Sequence, residues 1–198
     1  RNMRYEVDLS GKTITSNLRV YYHNHSAPSA APCEPQWINR GKSYFELKNA
    51  CYWDYMRIYV PDSAQLIYGT PMPLPKMSVA VETGYEKSGS DTLSTYKEHG
   101  RSVFSGIFTL EHSHDKSLEF VYDLPHSLIE SSGGLKRYNL FVQKQPGVQR
   151  RVSNFTIKLP NISTIISVDP EPDSQSDGVI VFSDFLERDF ELTVEYRD

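Results

Sequence analysis

Hydrophobic residues recur at every second position along almost the whole chain, and no other feature restricts the fold so tightly. Tyr5, Val7 and Leu9 alternate with Glu6 and Asp8, and Leu18, Val20 and Tyr22 follow. The densest run is Cys51-Tyr52-Trp53-Asp54-Tyr55-Met56-Arg57-Ile58-Tyr59-Val60. The pattern continues from Met77 to Val81, then through Phe104, Ile107 and Phe108 in a less regular strand. It returns at Leu118, Phe120, Tyr122 and Leu124, at Tyr138, Leu140 and Val142, and at Phe155, Ile157 and Leu159. Ile165, Ile166 and Val168, then Val179 and Val181, and last Phe190, Leu192, Val194 and Tyr196 complete the series. A period of two sends alternate side chains to opposite faces of a strand, and β-branched and aromatic residues favour that state. Turn chemistry separates the runs at Ser10-Gly11-Lys12, Pro61-Asp62-Ser63, Ser132-Gly133-Gly134, Pro146-Gly147 and Asp177-Gly178. The best helix candidate is the short stretch from Asp91 to Glu98. Roughly a dozen strands without crossover helices predict an all-β chain. It should be an antiparallel β-sandwich, jelly-roll or immunoglobulin-like, with little or no helix.

A chain of 198 residues can bury a real core, hiding roughly 70% of the surface exposed when unfolded. The reading is one elaborated sandwich over 1–198; the alternative is a split near 69–76, a Pro-rich segment, into two smaller β domains. No internal repeat is visible. No apolar run reaches the ~18 residues of a membrane span, and mean hydropathy is −0.49. The chain opens Arg1-Asn2-Met3, without an initiator methionine or signal-peptide pattern, and is expected to come from something longer. Net charge is 21 − 25 = −4, which argues against a general nucleic-acid binder. Lys136-Arg137 and Arg150-Arg151 sit beside turn residues and read as solvated loops.

The two cysteines, Cys33 and Cys51, stand eighteen positions apart, and no CxxC occurs. A disulfide is the preferred reading, pinning a Pro-rich segment to a strand; the other is two buried thiols in a cytosolic protein. Ser94-Thr95-Tyr96-Lys97 matches S-x-x-K, but its companion elements S-D-N and K-T-G are absent. His23 and His25, and His112 and His114 beside Asp115, have strand spacing for chelation, yet read as solvated turn histidines. The acids from Asp169 to Asp177 are spaced as in calcium loops. They lack the sixth-position glycine and late glutamate such loops use, and read as a surface loop. No metal or cofactor is expected. Trp37, Tyr44, Tyr52 and Trp53 gather near the cysteines, and exposed aromatics on a β-sandwich can stack on sugars; Trp37, Tyr44 and Tyr52 are the sugar-stacking candidates.

The runs Cys51 to Pro61 and Tyr138 to Gly147 are distinctive, above all in Tyr55-Met56-Arg57-Ile58-Tyr59-Val60-Pro61 and Gln143-Lys144-Gln145-Pro146-Gly147, with Val103-Phe104-Ser105-Gly106 and Tyr122-Asp123-Leu124-Pro125 between them. In this order they resemble the C-terminal part of a bacterial family, domain of unknown function 4012, found on cell-surface proteins of Chloroflexi and related lineages. The resemblance covers most of residues 3–197. It implies a membrane-anchored parent and an extracytoplasmic body, with the membrane met only through a segment outside this chain. It also favours the Cys33–Cys51 bridge and leaves the sequons at Asn24, Asn154 and Asn161 incidental. It carries no catalytic residue. Read physically, Tyr55, Arg57 and Tyr59 form a polar ladder on an outer face, while Met56, Ile58 and Val60 enter the core and Pro61 ends the strand. Both motifs read as scaffold first.

The expectation is therefore a non-enzymatic, extracytoplasmic cell-surface module with a structural or adhesion role. Its expected partners are polysaccharide or other cell-surface proteins, not nucleic acid. The alternative is a carbohydrate-binding module acting on cell-surface or extracellular polysaccharide. A hydrolase would need a pocket joining serine, histidine and acid residues that the sequence scatters.

Overall fold

The period of two folds as strands. A computed structural model describes residues 1–28, 33, 43–44, 46, 49, 51–76, 78–146 and 150–197. The strands are β1 (Asn2–Asp8), β2 (Ile14–His23), β3 (Tyr52–Val60), β4 (Gln65–Gly69), β5 (Ser94–Glu98), β6 (Arg101–Leu110) and β7 (Asp115–Leu124). They continue as β8 (Ile129–Ser132), β9 (Leu135–Val142), β10 (Ser153–Lys158), β11 (Thr164–Asp169), β12 (Ser174–Ser176), β13 (Val179–Asp184) and β14 (Phe190–Arg197). The chain gathers into two units, the first comprising Arg1–Val20, Ser63–Tyr68 and Glu119–Asp198, the second Tyr21–Asp62 and Gly69–Leu118.

The first unit is a β-sandwich. One sheet has the order β12-β13-β10-β1-β2-β7-β4 and the other β11-β14-β9-β8. Alternate residues of the larger sheet, including Val7, Ile14, Phe120, Phe155 and Ile157, are buried, as are Tyr138, Leu192, Val194 and Tyr196 of the smaller. The two inner faces meet where Phe155 stacks on Phe190 with ring centroids 4.6 Å apart, and where the Tyr5 and Tyr138 hydroxyls lie 3.4 Å apart. β10 and β13, β11 and β14, and β9 and β14 pair antiparallel, but β1 and β10 run parallel, Met3 opposite Ser153. On β13 the core residues are Ile180 and Phe182 rather than the expected Val179 and Val181. Their register decides this: Ile180 lies opposite Ile157 and Phe182 opposite Phe155, both already inward.

The second unit contains the three-stranded sheet β3-β6-β5. The middle strand β6 is buried on both faces over Ser102–Gly106, which explains its irregular hydrophobic pattern. On the core side lie Val60, Phe104, Phe108 and Leu110, with Tyr22 edge-on to Phe108 at 4.9 Å. The faces of β3 fall as the sequence predicts, but Met56 and Ile58 are half-buried and only Val60 is fully enclosed. Gly106 is required by close approach: a Cβ there would stand 2.3 Å from Cε of the buried Met72.

Two local expectations are corrected. The Asp91–Glu98 helix candidate holds strand β5 over Ser94–Glu98. Its hairpin to β6 closes through His99 and Gly100, both at positive φ, as a type I′ turn requires. Pairing along β6 then overrides a weak local helix preference. The expected strand from Met77 to Val81 gives way to a short helix, α1 (Val79–Glu82), with Met77 outside the described residues. Ser78 starts that helix, its hydroxyl accepting from the Val81 backbone N–H at 3.4 Å. Asp177-Gly178 and Gly133-Gly134 turn their hairpins with the same pair of positive φ values.

Candidate functional site

Odd-numbered residues of β3 share one face of the three-stranded sheet, and Tyr55, Arg57 and Tyr59 are all exposed there. The register sets them beside β5 across the middle strand. Tyr59 lies opposite Val103, which lies opposite Tyr96, while Arg57 lies opposite Ser105, which lies opposite Ser94. The side chains then reach over β6. The Tyr59 hydroxyl donates to Glu98 Oε2 at 2.7 Å, and Arg57 Nη1 donates to the same oxygen at 3.3 Å. Arg57 Cζ also stands 5.5 Å from the centre of the Tyr59 ring, within range of a cation–π contact. Below this layer the Ser94 and Ser105 hydroxyls are 3.0 Å apart.

Tyr55 joins the same network through Ser105 and Tyr96, and Tyr96 also meets Arg57. Hydrogen bonds from Ser105 and then Tyr96 stabilise the phenolate of Tyr55 and hold its pKa below the ordinary tyrosine value. Tyr96, giving its proton to Tyr55, is pushed above that value. Tyr59 is raised as well, chiefly because its proton is held by the Glu98 carboxylate. A hydroxyl bound across the middle strand ties its ring to the strand beyond. The consequence is visible underneath: Val103 is 0% and Ser105 2% exposed, while Tyr55, Tyr59 and Tyr96 remain 56%, 43% and 37% exposed. The result is a tethered layer of exposed tyrosines carrying the Arg57 guanidinium and the Glu98 carboxylate, with exposed Arg101 opposite Glu98 on the same face. An exposed ion pair of this kind contributes little to stability.

The residues proposed from sequence are placed as follows. Cys33 and Cys51 are joined, Sγ to Sγ, at 1.99 Å. Buried His112 brings Nδ1 to 3.5 Å from Cys51 Sγ. Of the sugar-stacking candidates, Trp37 lies outside the described residues and Tyr44 is 82% exposed. Tyr52 is on the opposite face of β3 from Tyr55, with its ring 6.4 Å from that of Tyr22. Ser94 and Lys97 are three apart on a strand, hence on opposite faces, and Lys97 pairs with Asp62. His23 is bound to Asp115 at 2.8 Å and its ring packs edge-on against His25. His112 and His114 flank Ser113, at positive φ, in the turn that joins β6 to β7. Among the described residues no group of three or more His, Cys, Asp or Glu could hold a metal. The acidic segment is a hairpin, with β12 paired to β13 and the Asp173 N–H bonded to the Val181 carbonyl.

Sequence reasoning put Tyr55, Arg57 and Tyr59 on an outer face but missed Tyr96 and Glu98, whose stretch, Asp91 to Glu98, it read as no strand and only as the best candidate for a helix. The available signal was His99-Gly100, a turn dipeptide between two short runs that can pair.

No family model matches the chain, and no curated protein matches it. Among solved structures, an M1 zinc metallopeptidase from Deinococcus radiodurans aligns with the whole of this chain at 6% identity and a TM-score of 0.41. The chain spans 41% of that protein's length, and a likeness this low carries no argument about chemistry.

Proposed function

We propose that this chain is a non-enzymatic, extracytoplasmic cell-surface module that serves adhesion or surface architecture through the outer face of its three-stranded sheet. The observation that carries the reading is the tethered layer of Tyr55, Arg57, Tyr59, Tyr96 and Glu98. Exposed aromatic rings held in place by hydrogen bonds lose little freedom on meeting a partner, and that favours a contact surface over a merely solvated one. The Cys33–Cys51 bridge supports an oxidising compartment. Among the described residues no helix is long and apolar enough to cross a membrane. The resemblance of the Tyr55–Pro61 and Gln143–Gly147 segments to the surface family agrees with that location.

The test is attachment. Beads carrying the protein should adhere to cells of the source organism, and beads carrying the Tyr59→Ala/Tyr96→Ala variant should adhere only at background level. Equal attachment by the two proteins, with equal melting midpoints, would sink the reading.

A further inference from the structure

We infer that the Cys33–Cys51 bridge is a thiol-exchange site, at which a small thiol or dithiol attacks Cys33 Sγ and Cys51 leaves as a thiolate held by His112. All three residues belong to the second unit and stand apart from the contact face described above. Three features point to this chemistry.

The first is a donor placed against Cys51. Buried His112 holds Nδ1 3.5 Å from Cys51 Sγ, within hydrogen-bond reach of sulfur. With its proton on Nδ1, the ring donates to that sulfur. A disulfide sulfur accepts weakly, whereas a thiolate accepts a charge-assisted bond. The donor therefore stabilises Cys51 more as a leaving thiolate than as half of a bridge, and such a difference lowers a barrier. The second is that the backbone fixes the donor in place. Tyr52, which follows Cys51, lies opposite Leu110, the last residue of β6, so Cys51 sits at the strand end where the chain runs on through Glu111 to His112. The turn beyond is braced. The His114 N–H donates to the Glu111 carbonyl at 3.3 Å, and His114 Nδ1 lies 2.8 Å from the His112 carbonyl oxygen. The His114 carbonyl in turn accepts from the Asn24 N–H at 3.0 Å. A donor already in position needs no rearrangement to meet the developing charge. The third is unequal access. Cys51 is 4% exposed and Cys33 half-buried, so a thiol from solvent meets the Cys33 end of the bridge first.

The incoming thiolate forms a bond to Cys33 Sγ, the Cys33–Cys51 bond breaks, and its electron pair leaves on Cys51 Sγ beside the His112 N–H. Cys33 then carries the incoming thiol as a mixed disulfide. A dithiol completes the reduction. Its second thiolate attacks its own bonded sulfur, closes a ring disulfide and releases the Cys33 thiolate. An electron pair has then passed from the dithiol to the bridge, and Cys33 is no longer tied to the head of β3. A monothiol stops at the mixed disulfide or is expelled again by Cys51.

The experiment treats the native, unreduced chain with glutathione, quenches with N-ethylmaleimide and locates both labels by peptide mass analysis. Glutathione should be found on Cys33 and maleimide on Cys51, at a rate that keeps rising with glutathione concentration. That rate should fall about tenfold or more in His112→Phe, which keeps a ring and removes the donor, as expected for a lost hydrogen bond to a charged group. His112→Asn, whose amide N–H can stand where Nδ1 stands, should recover much of it. Melting midpoints of the bridged proteins are measured alongside, since a merely structural histidine would move the midpoint and leave the exchange rate of the folded chain alone. If His112→Phe melts early, the wild-type adduct and the His112→Asn rate are read in its place. Glutathione on Cys51, or a rate that levels off because the chain must first unfold, would overturn the inference. So would an unchanged rate in folded His112→Phe, or a loss in folded His112→Asn of tenfold or more.

Discussion

Three tyrosines of the first unit, Tyr5, Tyr122 and Tyr138, turn their hydroxyls into the core, whereas Tyr55, Tyr59 and Tyr96 of the second lie on its surface. Tyr5, Tyr122 and Tyr138 are 8%, 4% and 2% exposed, and the Tyr5 hydroxyl bonds Ser16 at 3.0 Å and Tyr138 at 3.4 Å. A phenol enclosed this way needs a partner, because an unsatisfied buried hydroxyl costs about 1–3 kcal/mol. Tyr55, Tyr59 and Tyr96 satisfy their hydroxyls just as fully, through Ser105, Glu98 and one another, yet they keep their rings in solvent. Water could bond those exposed hydroxyls at little cost. Hydrogen bonding is thus obligatory in the first setting and optional in the second. What the optional network adds is orientation, and orientation of exposed rings matters only to something that meets them.

The largest effect should come from truncating one tyrosine of each kind. Tyr138→Ala leaves a cavity and removes one of the partners of the Tyr5 hydroxyl, and should cost about 3–5 kcal/mol in denaturant unfolding. Tyr59→Ala should leave the melting midpoint nearly unmoved while abolishing attachment. If Tyr59→Ala destabilised as much as Tyr138→Ala, the surface layer would be a structural lid over Val103 and the contrast would collapse.

Alkaline titration sharpens the same contrast with a smaller signal. Burial, first of all, raises the pKa of Tyr5, Tyr122 and Tyr138 above the ordinary value of 10.0, whereas Tyr55 is lowered by its hydrogen bonds. Below the ordinary value both the folded and the unfolded chain hold the buried phenolic protons, so stability there is unaffected by these groups. Above it the unfolded chain releases them and the native core does not, so stability should fall as pH rises past about 10. Phenolate absorbance should show Tyr55 ionising first, while the three buried groups ionise only with unfolding. A single smooth titration of all tyrosines in the folded protein would contradict the burial.

Much of this architecture was legible in the chain because the relevant signals are local. A period of two reports strands wherever one face is buried, and Gly133-Gly134 and Asp177-Gly178 report hairpins because both turn positions need positive φ. The outward face of β3 was legible for the same reason. What escaped was set at a distance. Residues 91–98 are short and polar, and only pairing with β6 makes Ser94–Glu98 a strand. Once that strand is missed, Tyr96 and Glu98 cannot be placed beside Tyr55 and Tyr59, and the site dissolves into a polar ladder. Val179 and Val181 likewise alternate as core residues do, but register against β10 gives the interior to Ile180 and Phe182. Aromatic clustering in sequence misled as well, since Tyr52 and Tyr55 point to opposite faces of one strand.

The most direct test of the tethered face as the contact surface is tyrosine footprinting of the wild-type protein, free and attached to cells. Nitration followed by peptide mass analysis reads every tyrosine in one experiment and needs no variant. Tyr55, Tyr59 and Tyr96 should be nitrated in the free protein and protected on attachment. Tyr44 and Tyr85, 82% and 83% exposed, should react equally in both states. Protection of Tyr44 or Tyr85, with Tyr55, Tyr59 and Tyr96 labelled as in the free protein, would place the contact elsewhere and contradict the account.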